Sequence, residues 1–133
     1  MSTITTTLSV TIAGEQTVSA SSNTIEAEAI GQVEIDLPAD DNPVTVEIQP
    51  SASDQLYVLL LSSTYYGPEL TYVFSNGSVD AADTLTLDGP QIFSAGNLGA
   101  IGVNPTHIKL TMASAGEDAT VSIFVARDAT PPP

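Results

Sequence analysis

Apolar side chains recur here at every second residue, and nowhere at the 3.6-residue spacing of a helix sustained over three turns. Strands are therefore the regular structure that the pattern supports. The signal is densest over residues 56–75, LYVLLLSSTYYGPELTYVFS, which hold all four tyrosines and a run of four aliphatics, Val58, Leu59, Leu60 and Leu61. Such a run is expected of a strand covered on both faces. Tyr66, Gly67 and Pro68 then mark a turn. Beyond it Leu70, Tyr72 and Phe74 alternate with Thr71 and Val73, the pattern of an antiparallel partner packing one face on the preceding strand.

The rest of the chain reads the same way. Over residues 3–12, Ile4, Leu8, Val10 and Ile12 occupy even positions among Thr and Ser, a half-buried strand that Gly14 ends. Residues 15–23 form a weak edge strand or a loop. Ile25, Ala27, Ala29, Val33, Ile35 and Leu37 share one parity with Gly31 in phase, which predicts a single long strand bent at Gly31. Its other face carries Glu26, Glu28, Gln32, Glu34 and Asp36, an acidic ladder expected to stand in solvent because unpaired carboxylates are costly to bury. Pro38 stops this strand, and Val44, Val46 and Ile48 make another. Asn76-Gly77 is the strongest short turn signal. Leu85 and Leu87, Ile92 and Phe93, then Ile108, Leu110 and Met112, and finally Val121, Ile123 and Val125 supply the remaining strands before the proline tail 131–133.

About eight to ten short strands at regular turn spacing predict an all-β fold, an antiparallel two-sheet β-sandwich or jelly roll. The expected organisation is one domain over residues 1–130, with residues 1–12 as an extended N-terminal arm. A chain of 133 residues buries about two-thirds of its unfolded surface in one core. It has no cysteine, so disulfides and thiolate zinc sites are ruled out. No apolar run approaches the length of a membrane-spanning helix, and residues 1–3 lead into Thr-rich sequence without the features of a secretory signal.

Charge narrows the function further. Sixteen acidic residues stand against Lys109 and Arg127, a net charge of −14. A nucleic-acid backbone or an anionic membrane would be repelled, so neither is an expected partner. The same excess keeps a β-rich surface soluble, and it is also what a halophilic protein would carry.

The chemistry-bearing residues point away from catalysis. His107 is the single histidine, placed on the face opposite Ile108 and Leu110, and no G-x-S-x-G elbow accompanies it. Paired carboxylates are inevitable among so many acids, but there is no tryptophan to form a sugar platform. The glycine-rich segment 96–102 is spaced G-x-x-G-x-x-G, which is not a phosphate motif. Asp36, Asp40, Asp41 and Asn42, and separately Asp80, Asp83 and Asp88, cluster around turns where calcium is the ion to consider, yet no EF-hand pattern is present. The expectation is a protein that is not an enzyme, with no cofactor and no resident metal. Two aromatics beside a turn, Tyr65 and Tyr66 with Pro68, form the best candidate contact site. The strand with Ile4, Leu8 and Val10 is a second candidate, able to add to a neighbour's sheet edge.

The segments LYVLLLSS, ELTYVFSNG and TLTLDGPQIFSAG, and above all the C-terminal SIFVARDATP, together resemble a small virion structural protein of a tailed bacteriophage, of the capsid decoration or cement type. The resemblance spans the last two-thirds of the chain and contains no catalytic signature. It implies a β-sandwich or jelly roll made in the host cytoplasm, often a homotrimer. Such a protein sits on the outside of the icosahedral shell, where it contacts the major capsid protein and strengthens the shell against internal DNA pressure. Two alternatives stay open at this point: an extracellular adhesion or carbohydrate-binding sandwich stabilised by calcium, and a phage tail or fibre component.

Overall fold

The computed structural model describes residues 2–21, 24–48, 55–76, 78–94 and 105–128. The glycine-rich segment 96–102, Gly77 of the Asn-Gly turn and the proline tail lie outside the described residues. Among the described residues there are twelve strands: β1 (Ser2–Ile4), β2 (Thr7–Thr11), β3 (Thr17–Ser21), β4 (Ile25–Ala27), β5 (Ala29–Leu37), β6 (Val44–Glu47), β7 (Gln55–Ser63), β8 (Leu70–Ser75), β9 (Leu85–Thr86), β10 (Gln91–Ser94), β11 (His107–Met112) and β12 (Ala119–Asp128).

Eight of them build two antiparallel four-stranded sheets, ordered β10-β7-β12-β5 and β6-β11-β8-β9. The wiring is that of a jelly roll. From β5 to β12 the chain changes sheet at every step but one, the β8–β9 hairpin. Between the sheets lies one core, in which Leu37, Leu59, Leu61, Val121, Ile123 and Val125 of the first sheet meet Leu70, Tyr72, Phe74, Ile108, Leu110 and Met112 of the second. The alternation read from sequence is obeyed closely there, with the even residues of β11 and β8 facing in. Phe74 stands edge-on to Tyr72 at 5.6 Å and to Phe93 at 5.4 Å, the latter contact crossing from the second sheet to the first.

Three local expectations are corrected. The strands on either side of Tyr66-Gly67-Pro68 do not pair with each other. β7 lies between β10 and β12, whereas β8 lies between β11 and β9 in the opposite sheet. Alternation specifies which face of a strand is buried, not which strand it bonds to, and β8 meets β7 only through the core. The long strand over residues 25–37 bends at Glu28 rather than at Gly31, which sits in regular register opposite Val125. At the bend, the Glu28 N–H donates to the Arg127 carbonyl at 3.1 Å, the last rung before β4 leaves the sheet to pair with β1. Parity survives the bend but the face does not. Ile35 and Leu37 enter the central core, while Ala27 packs with Val58 and Ala126 on the outside of the first sheet.

The third correction concerns residues 3–12, which are not one half-buried strand. They break after Ile4 into β1 and β2, and β2 pairs with β3 in a separate two-stranded ribbon. Gly14 forms the tip with φ of 76°, a left-handed value that favours glycine, in a turn closed by the Glu15 N–H on the Ile12 carbonyl at 2.9 Å. Both strands of this ribbon are exposed throughout.

Candidate interaction surface

Pairing in the β2–β3 ribbon puts Leu8 opposite Ala20 and Val10 opposite Val18 on one face, and Thr7 opposite Ser21, Ser9 opposite Ser19 and Thr11 opposite Thr17 on the other. The polar face is laced by hydroxyl contacts, Thr7 to Ser21 at 3.1 Å and Thr11 to Thr17 at 3.4 Å. The apolar face has no such partner: Leu8 is 55 % exposed, Val10 63 %, Ile12 44 % and Val18 52 %. An isolated two-stranded ribbon is marginal in water, so an apolar face of this kind is normally held by packing.

Next to it lies a groove of about 340 Å³ on the outer face of the first sheet, walled by residues 4–8 and floored by Val58, Leu60, Ile92 and Phe124. A register slip in the β7–β12 ladder lies just beyond this floor. Ala126 pairs with Val58 but Arg127 with Leu56, so Tyr57 is the extra residue, and both Tyr57 and Val58 turn outward. Leu60, expected to be covered on both faces, is 38 % exposed here. None of the nine lining residues is charged. Of the candidate residues Ile4 and Leu8 reach this groove, whereas Val10 extends beyond it.

Tyr65, Tyr66 and Pro68 form a separate surface, on the connection that carries the chain from β7 to β8. None of these three lines the groove, and the structure does not bring the two groups together. The Tyr65 ring is half-buried against the core, and its hydroxyl donates to Glu69 Oε2 at 2.8 Å. That hydrogen bond is the main reason its pKa is raised, with burial second. Tyr66 and Pro68 are exposed, and the Tyr66 hydroxyl accepts the Ser63 N–H at 3.1 Å, which fixes the ring over its own turn.

The titratable groups are engaged in structure. Lys109 Nζ lies 3.0 Å from each carboxylate oxygen of Asp80, and this charged hydrogen bond, helped by Ser75, lowers the Asp80 pKa. His107 Nδ1 sits 2.7 Å from Thr106 Oγ1. In the first acidic cluster Asp40 accepts the Asn42 N–H, Asp41 accepts the Ser114 N–H and Asp36 accepts the Thr120 hydroxyl. Among the described residues no group of three or more His, Cys, Asp or Glu is arranged to hold a metal ion. Every described acidic side chain is exposed apart from half-buried Glu69.

Sequence reasoning missed Leu60, Ile92 and Phe124. The signal was present for Phe124, an aromatic on the parity opposite Val121, Ile123 and Val125. A bulky apolar residue on the supposedly solvated parity marks a strand with a second buried or binding face. Comparison of the chain with protein families, with curated proteins and with solved structures finds no match.

Proposed function

We propose that this chain is a structural assembly protein of the capsid decoration or cement class, binding the major capsid protein on the outer surface of a tailed-bacteriophage shell and stabilising it. The observation that carries the reading is the division of the surface. A jelly roll clothed in exposed carboxylates displays an uncharged amphipathic ribbon that adds little to its own core, an arrangement suited to lattice contacts. Jelly rolls recur in viral capsid domains, which supports the reading by fold analogy. A net charge of −14 suits a protein outside the shell, away from packaged DNA. In this reading the exposed Tyr66 and Pro68 contact the shell, while the N-terminal ribbon joins subunits.

Co-sedimentation of the purified protein with DNA-free shells of its own phage is the test. Saturable binding at a fixed number of copies per capsomer, with a higher melting temperature for the shells, is expected. Tyr66→Ala should weaken binding about tenfold, the usual effect of truncating an aromatic anchor, and leave the circular dichroism spectrum unchanged. Absence of co-sedimentation would sink the proposal.

A further inference from the structure

The aliphatic face of β2–β3 has the chemistry of a core strand and no core. Within its own chain the ribbon reaches the outer groove at Thr7 and Leu8, so that of the aliphatic face Leu8 alone lines it, and Val10, Ile12 and Val18 lie beyond, in solvent. We infer that this face seats on a second copy of the chain, in the groove floored by Leu60, Ile92 and Phe124. The inference concerns contacts between copies and holds whether or not shells are bound.

Charge selects the occupant. Two copies at −14 each repel one another over most of their surfaces. Both apolar features lie where charge is sparse. Residues 2–21 contain one charged side chain, Glu15, and it sits at the ribbon's turn, away from Leu8, Val10 and Val18. The groove lining contains none. A neutral aliphatic strand face and a neutral apolar groove can therefore meet without desolvating a carboxylate, a step that would be costly. A basic partner would be recognised by the acidic faces instead, and would have nothing to pair with here. One face of a ribbon presents its paired side chains at strand spacing, the same spacing that the pleated outer face of a sheet offers.

The ionic-strength dependence follows. Salt screens the repulsion between like-charged copies and leaves apolar contact intact, so association should strengthen as salt rises. Contact with a basic protein would weaken.

The test is light scattering on the full chain at micromolar concentration, at low and high salt. Wild type is expected at a multiple of 13.7 kDa, more so at high salt. The double variant Val10→Asp with Val18→Asp should weaken association at least about a hundredfold, which leaves a 13.7 kDa monomer. Its circular dichroism spectrum should not change, because neither residue belongs to the core. Leu60→Glu, on the receiving side, should act alike. Because the chain has no cysteine, Val10→Cys protein mixed with Leu60→Cys protein should give a heterodisulfide on mild oxidation. A monomeric wild type, an unaltered mass in the Asp variant, or no Val10–Leu60 cross-link would each overturn the inference.

Discussion

Phe74→Ala is expected to lower the unfolding free energy by about 3–5 kcal/mol, the cost of deleting a buried aromatic and leaving its cavity. Phe74 is almost wholly buried near the end of β8, edge-on to Tyr72 on the same strand and to Phe93 across the sandwich. Its ring thus holds the two sheets together as well as filling space. Domains of this size retain only about 5–15 kcal/mol in total, so the variant stands near the edge of unfolding. Urea titration provides the measurement. Leu60→Ala is the internal comparison, because truncating an apolar side chain on the partly exposed outer face should cost under about 1 kcal/mol. Equal losses for the two variants would mean that the aromatic contact between the sheets does not organise the core.

Alkaline destabilisation through Tyr72 is the second large effect. Its side chain is buried, its hydroxyl donates to Gln91 Oε1, and burial together with the nearby Asp88 carboxylate raises its pKa from 10.0 to about 12. The unfolded chain releases the phenolic proton near pH 10.0 while the folded chain keeps it to about pH 12. Folding is therefore linked to proton retention in that window. This contribution is complete below pH 10.0 and disappears as the pH rises through about 12. Melting temperature should fall steeply across that interval. Tyr72→Phe loses the Gln91 hydrogen bond and is less stable at neutral pH, but its alkaline slope should be shallower. The half-buried Tyr65, also raised, contributes the slope that remains. An unchanged slope in Tyr72→Phe would contradict the assignment.

The sequence carried the strand pattern because burial in a sandwich imposes period two on each strand, and β8, β11 and β12 show it without exception at their core positions. Pairing was less legible. Hydrogen bonds between strands are made by the backbone, which is the same at Val58 as at Val73, so nothing in residues 56–75 revealed that the chain crosses between sheets after Ser63. The bend at Glu28 was hidden for a related reason. It is caused by β4 leaving the sheet for β1, and Gly31 offered a more visible but irrelevant cue.

The candidate surface was half legible. Ile4, Leu8 and Val10 stand out by alternation, which by itself is equally compatible with burial in the chain's own core and with cover by a neighbour. The pattern actually marks a face that needs cover, whatever supplies it. Phe124 was concealed by lying one residue out of phase in a strand whose other face is the core. The second surface was plainer, since Tyr65, Tyr66 and Pro68 are close in sequence, but only the structure separates the ring that packs inward from the one that faces solvent.

The central proposal is that a jelly roll stable by itself carries a ribbon covered by a second copy of the chain. Hydrogen exchange on the wild-type chain at a series of protein concentrations tests it most directly. Amides of β7, β8, β11 and β12 should be protected equally at every concentration, because their stability is intramolecular. Amides of β2 and β3 should exchange freely in dilute solution and become protected as concentration rises. Ribbon amides as protected in the most dilute sample as those of β12, or unprotected at every concentration, would contradict the account.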